Sequence, residues 1–427
     1  MERISTYFLE DSPHMWTRDL REPALTFELF GQEWGFYFMN VMAWCELLAF
    51  TAVQSITVAL LSVFVYKVVV QKQGTWFSMI SCFAIAIPLL YLIPFGMFFV
   101  FNIRNQFMRF CIGAIMPVTC LFKTSAAAFG FLPKYATASI KSFAFYYTVP
   151  FTMEWNKKLD KYTPNTFAEV LVQLQGFGKL LIVMAFMKSL YSLIPDIVPP
   201  FATGKPDADY YSIASAFLPR TLLRNLLYIC FICPSVTVMC YGFLVAQNIV
   251  TGVKACPAMD NPFLTSRSFS KFWGGKWNLV IHNVLKMGVY LPVRKYFSKH
   301  IAMIATFVAS GLFHEVLLWY FMLPIDDAQG CLSDENARNT SVDCYMPRPF
   351  TTTLFFIWQA AGIAVEYSPL VKYLTFWDKV PTLFASMIII FLGGAPLGHF
   401  FSEPYWNSLC LENAMIMFSF VKPMGAA

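Results

Sequence analysis

Charge is scarce in this sequence: Asp, Glu, Lys and Arg make up 13% of its 427 residues, about half the share of an ordinary soluble domain. Hydrophobic residues reach 57% and aromatic residues 18%, and the mean hydropathy is +0.55. A water-soluble core protein is excluded by that balance, and a polytopic membrane protein is expected. The 11 cysteines show no paired CxxC spacing and fall mostly in apolar runs, such as Cys82, Cys111, Cys120, Cys230, Cys233 and Cys240, which argues against a zinc site. The formal net charge of +6 comes with no basic tail and no alternation of basic and aromatic residues, so nucleic acid is not an expected partner. The opening MERISTYFLEDSPHMWTRDLREP has no basic n-region followed by a short apolar run, so no cleavable leader is expected. An internal repeat and a low-complexity segment are lacking too.

What is present are apolar runs long enough for about 30 Å of hydrocarbon, near 43–66, 77–101, 110–132, 178–198, 222–250, 301–323, 350–368, 382–401 and 407–422. The expected fold is all-α, a transmembrane bundle of about 8–11 helices. A polar segment over 1–42, cytosolic or interfacial, would precede a single membrane domain over 43–427. Pro88, Pro94, Pro117, Pro234 and Pro396 predict kinks, which neighbouring helices can absorb.

Loop charge orients the bundle. The 251–300 connection holds eight Lys and Arg against Asp260 alone, which assigns it to the cytosol by the positive-inside rule. The 324–349 connection is acidic and carries Cys331, Cys344 and the sequon Asn339-Thr340-Ser341. It is expected in the lumen, with Asn339 a glycosylation candidate and Cys331–Cys344 a disulfide candidate. A third connection, 133–177, mixes Lys134, Lys141, Lys157, Lys158 and Lys161 with aromatic clusters and reads as interfacial.

Two stretches carry chemistry. In VASGLFHEVLLWYFM, Val308 to Met322, His314 and Glu315 stand in the middle of a run otherwise fit for lipid, and ionisable groups placed so are functional candidates. A zinc HExxH reading fails because Leu318 occupies the place of the second His, so no metal is expected there. The other stretch runs from Ser266 to Tyr296, where Phe269, Phe272, Trp273 and Trp277 alternate with Lys271 and Lys276 around Gly274-Gly275. By pattern alone it reads as an amphipathic interfacial helix with snorkelling lysines.

SFSKFWGGKWNLVIHNVLKMGVYLPVRKY resembles the S-L-x-x-F-W-x-R-R-W-N signature of plant-type wax synthases in the membrane-bound O-acyltransferase superfamily. ASGLFHEVLLWYF is similar to the S-G-L-x-H-E segment of the same family. Phe350 to Glu366 looks like its next membrane helix, so the resemblance covers roughly 255–370. It implies an internal reaction chamber, His314 as catalytic histidine and Asn278 as its partner. Gly275-Lys276 stands where the plant pattern often has two basic residues.

The implied activity is transfer of a fatty acyl group from acyl-CoA to a long-chain alcohol, giving a wax ester, in the endoplasmic reticulum. Acyl-CoA would be co-substrate, with the alcohol and membrane lipids as partners and no cofactor. Neutral imidazole suits the removal of an alcohol proton near pH 7, and an amide can orient the base or the acyl carbonyl. Glu315 points about 100° around the helix from His314 and is expected to be a helix-helix partner. Lys271, Lys276, Arg294 and Lys295 are the candidate cations for the phosphates of acyl-CoA, with Trp273 and Trp277 beside them. Diacylglycerol or sterol is the alternative acceptor. A proton-coupled transporter using His314-Glu315 is the alternative of another class, with Glu46 and Lys188, both near expected helix ends, as possible further members of its path. The oligomeric state stays open.

Overall fold

The computed structural model describes residues 25–29, 32–38, 41–101, 103, 106–192, 213–322, 349–369, 377–397 and 416–420. The loop holding Cys331, Asn339 and Cys344 lies outside the described residues. Among the described residues the chain is predominantly helical. The long helices are α1 (Val41–Val65), α2 (Trp76–Val100), α3 (Gln106–Phe129), α4 (Ile140–Thr148), α5 (Phe167–Ser192), α6 (Pro219–Thr251), α7 (Leu279–Leu285), α8 (Lys299–Met322), α9 (Thr351–Glu366) and α10 (Thr382–Gly394). Among the described residues five stretches are long and apolar enough to cross a membrane: Leu48–Val70, Trp76–Val100, Phe167–Phe186, Pro234–Thr251 and Lys299–Tyr320. Their outward faces carry large apolar side chains such as Leu60, Ile182 and Leu92, each about 60% exposed or more, as a lipid-facing surface requires and a water-facing one does not tolerate. The protein is an integral membrane protein.

Local chemistry explains where the helices begin and bend. α5 starts eleven residues before the expected 178, because Thr166 and Glu169 form a capping box ahead of it. The Glu169 carboxylate accepts from Thr166 N at 2.9 Å, and Thr166 Oγ1 accepts from Glu169 N at 3.3 Å, which satisfies two orphan donors reciprocally. Within α2 a widened π turn over Ser81–Ala86 directly precedes Pro88. α7 has the same device, with a π turn over Lys286–Tyr290 ahead of Pro292 in Leu291–Tyr296. Such turns take up the hydrogen bond that proline cannot make.

Five short strands complete the description. β1 (Leu25–Leu29) and β2 (Gln32–Phe38) form an antiparallel hairpin, and β5 (Ile416–Phe420) pairs with β2, Phe36 opposite Phe418. The helix expected over 407–422 is therefore corrected: its last described part, IMFSF, is a strand. Its aromatic and β-branched residues suit a pleated surface, and the partner edge on β2 lies almost 400 residues away, beyond the reach of any local pattern. β3 (Trp155–Asn156) and β4 (Lys161–Tyr162) form a second hairpin between α4 and α5.

One buried cluster fixes α8. Phe98 of α2, Phe122 of α3, Val284 and Leu285 of α7, and Phe313 and Leu317 of α8 pack together. On its other side α8 approaches α9 closely at Gly311, where a Cβ would stand 2.6 Å from the Cα of Thr353. Gly311→Val is expected to cost about 1–3 kcal/mol through overpacking, read as a lowered unfolding midpoint of the purified protein, whereas an unchanged midpoint would show that α8 and α9 can separate freely.

Candidate active site

A cavity of about 620 Å³ lies between α7, α8, α9 and α10, closed on one side by the segment 269–278. Trp273, Trp277, Asn278 and His314 all line it. Two stretches 36 residues apart in the chain, counted from Asn278 to His314, thus reach a common space.

His314 sits on the cavity face of α8. Its Nδ1 lies 2.7 Å from the carbonyl oxygen of Ser310, one turn earlier. A carbonyl only accepts, so Nδ1 is the protonated nitrogen and the neutral ring carries its lone pair on Nε2. The ring packs against Phe356 of α9, centroids 4.6 Å apart, and against Phe313 at 5.0 Å. Ser310 and Phe356 therefore set both the tautomer and the orientation of the imidazole.

Glu315 is turned away from the cavity. It is 7% exposed, and its Oε1 accepts from the backbone N of Thr353 at 2.9 Å and from Thr353 Oγ1 at 3.3 Å. The carboxylate thus caps the first turn of α9, where orphan N–H groups and the helix dipole favour negative charge. The adjacent pair divides its work: His314 faces the cavity and Glu315 anchors the helix that supplies Phe356.

Asn278 occupies the N-cap of α7 in a left-handed conformation, φ +40° and ψ +60°, which Asn tolerates better than most side chains. Its Oδ1 accepts from Ile281 N at 3.3 Å and its backbone carbonyl from His282 N at 2.9 Å. The side-chain Nδ2 makes no protein hydrogen bond among the described residues, which leaves the cavity an amide donor. No hydrogen bond joins Asn278 to His314.

The 269–277 segment is held from three sides. Glu366, at the end of α9, accepts from the backbone N of Phe269 and of Ser270. Trp273 Nε1 donates to Gln359 Oε1 at 3.2 Å, and Gln359 Nε2 donates to the carbonyl of Gly393 on α10 at 2.5 Å. His282 hydrogen-bonds the backbone of Trp273. Burial, then the nearby Lys286 ammonium, hold His282 below the ordinary imidazole range against that bond, so it is neutral at pH 7. These contacts set Trp273 edge-on to Phe307, at 5.8 Å, and near Phe356, at 5.9 Å.

The four cations singled out in the sequence lie elsewhere. Lys276 is bonded to Asp260 Oδ2 at 3.2 Å and Thr265 Oγ1 at 2.8 Å, and Arg294 donates to the carbonyl of Phe297 at 2.9 Å. Lys295 lies over the ring of Tyr296 at 5.5 Å, and Lys271 is exposed; none of the four lines the cavity. The cavity's own cations are Lys286 and Lys299, with His300 beside them. Spacing along α7 would have found Lys286, since Asn278, His282 and Lys286 recur every fourth residue on one face. From Lys299 to His314 the cavity wall follows α8 for 15 residues, about 22 Å at the rise of an α-helix.

Comparison with known proteins gives this geometry a setting. Residues 256–332 match the profile of the membrane bound O-acyl transferase family. A probable long-chain-alcohol O-fatty-acyltransferase 9 of Arabidopsis thaliana is 31% identical over 114 residues, 25% of this chain and 33% of that protein. The long-chain-alcohol O-fatty-acyltransferase of Simmondsia chinensis is 35% identical over 84 residues, 18% of this chain and 24% of its own. An acyl-CoA–sterol O-acyltransferase 1 of Arabidopsis thaliana is 32% identical over 82 residues, again 18% and 24%. The matched part spans a third or less of each of these relatives. The profile match contains Trp273, Trp277, Asn278 and His314, and over that stretch the chain is similar to the membrane bound O-acyl transferase family.

Proposed function

We propose that the protein is an acyl-CoA-dependent acyltransferase that esterifies the hydroxyl of a long-chain alcohol, with His314 as general base. One observation carries the reading: a histidine whose Nδ1 is held by the Ser310 carbonyl lines a largely apolar cavity inside a membrane protein, and an asparagine side-chain amide lines the same cavity.

In the proposed reaction His314 Nε2 removes the alcohol proton as the hydroxyl oxygen attacks the thioester carbonyl. The Asn278 amide is suited to stabilise the oxyanion that forms. Collapse of that intermediate breaks the C–S bond, and the imidazolium returns its proton to the sulfur. The products are an ester and the CoA thiol, with His314 neutral again. Lys299 and His300, about 22 Å along α8 from His314, are the proposed contacts for the phosphates of CoA, with Lys286 a third cation on the cavity wall. Lys271, Lys276, Arg294 and Lys295 remain surface cations of the same 251–300 segment, which we assign to the cytosolic side of the endoplasmic reticulum membrane, with 324–349 lumenal.

The relatives include proteins named for alcohol and for sterol acceptors, so the acceptor is tested directly. Membranes holding the protein, given labelled acyl-CoA with fatty alcohol, sterol and diacylglycerol together, are expected to yield wax ester as the main product. Sterol ester or triacylglycerol in excess would replace the acceptor while leaving the reaction.

A further inference from the structure

The segment 133–165 takes no part in the cavity, yet it concentrates charge. It holds Lys134, Lys141, Lys157, Lys158 and Lys161 against Glu154 and Asp160, and all five lysines are exposed.

Its place in the fold is a membrane surface. Gly130, at φ +78°, follows α3 directly and lies against the side chain of Gln73, in the turn between the first two spans. Tyr66 Oη donates to the carbonyl of Thr137 at 3.5 Å. Asn165 N donates to the carbonyl of Gly252 at 2.9 Å, and Glu154 N to that of Lys254 at 2.8 Å, where α5 begins and α6 ends. The segment is therefore sandwiched among the ends of α1, α2, α3, α5 and α6, all on one face of the bundle. Trp76 and Phe167, the first residues of two spans, are 85% and 76% exposed, the position of an aromatic belt at headgroup depth.

The β3–β4 hairpin, WNKKLDKY, is the rigid tip of this layer. Tyr135 stacks on Trp155 at 4.3 Å, and Trp155 meets Tyr162 edge-on at 4.8 Å. Asn156 Oδ1 accepts from the backbone N of Lys158 and Leu159 at 3.0 and 3.2 Å, an Asx turn that fixes the loop. Leu159 is 61% exposed at the tip. No ion pair or cation–π contact engages Lys157, Lys158 or Lys161 among the described residues, whereas Lys254 at the base is paired with Glu169 at 3.2 Å. A preformed turn thus displays an apolar residue between three unspent cations at the end of the bundle where the spans begin and end.

We propose that this hairpin is a docking element for anionic phospholipid headgroups, with Leu159 seated among the acyl-chain roots and Lys157, Lys158 and Lys161 on the phosphates. Basic groups at a membrane surface are attracted to anionic lipid over roughly a Debye length, and the ordered turn lowers the entropy lost on binding. The proposal is independent of the acyltransfer reaction.

Amine-reactive footprinting of the full chain in nanodiscs tests it, comparing phosphatidylcholine alone with phosphatidylcholine containing phosphatidylglycerol. Labelling of Lys157, Lys158 and Lys161 is expected to fall several-fold in the anionic discs and to recover in about 1 M salt, where the Debye length is near 3 Å, while Lys254 changes little. Leu159→Asp, an exposed change that leaves the fold intact, is expected to abolish most of the protection. Equal labelling in both discs, protection of Lys254 to the same degree, or full protection in Leu159→Asp would overturn it. Protection by an added acidic peptide in neutral discs but not by anionic lipid would also overturn it, in favour of a protein partner.

Discussion

His314→Ala is expected to lower ester formation by roughly 10²–10⁴-fold, the usual contribution of a positioned general base. The loss follows from removing the proton acceptor, since of the other cavity histidines His282 is engaged with the backbone of Trp273 and His300 stands 14 residues before His314 on α8. His314→Gln separates chemistry from packing. Glutamine can occupy much of the imidazole volume against Phe356, but its amide cannot take a proton at neutral pH. Both variants are therefore expected to stay folded, to keep acyl-CoA binding and to lose turnover alike, measured as product formed from labelled acyl-CoA in membranes with equal amounts of protein. Near-normal activity in His314→Gln would reduce His314 to a packing residue.

The second large effect is expected at Glu315, by another route. Glu315→Ala removes the cap from α9 and leaves the buried backbone N–H of Thr353 without its acceptor, a loss of about 1–3 kcal/mol. α9 also carries Phe356, Gln359 and Glu366, so its displacement loosens the His314 ring, Trp273 and the 269–270 backbone together. The unfolding midpoint should fall and activity should drop by about 10-fold or more, since a misplacement near 1 Å can cost 10²-fold. Glu315→Gln keeps an oxygen acceptor for Thr353 and is expected to recover most of both. Wild-type stability in Glu315→Ala, or complete inactivity of a stable Glu315→Gln, would contradict the capping role and point to a direct part in the chemistry.

Much of this organisation is legible in the sequence because it rests on local periodicity. Apolar run length located α1, α2, α3, α6, α8 and α9 to within a few residues, since hydrocarbon thickness leaves little freedom. Trp273, Trp277, Asn278 and His314 carried a residue pattern of their own and share one cavity. Of the cavity's cations only Lys286 had a signal, its spacing from Asn278 and His282. Helical phase along 279–296 is reset by the π turn at Lys286–Tyr290, so Arg294 and Lys295 face away from the cavity that Lys286 lines. Gln359 and Glu366 were missed as clamps because each acts on a backbone or indole almost 90 residues or more away, and a membrane glutamine has no period to betray it. The strand Ile416–Phe420 has the same cause: an apolar run reads as helix until the edge that recruits it is known.

The most direct test of the central claim is a single-turnover measurement on purified protein in lipid. Labelled acyl-CoA is bound first, in wild type and in His314→Ala, and a long-chain alcohol is then added. Wild type should convert the bound acyl group to ester with one CoA thiol released per ester formed, while His314→Ala binds acyl-CoA equally and forms almost none. Ester formation by His314→Ala at the wild-type rate, or none by wild type with any lipid alcohol, would contradict it.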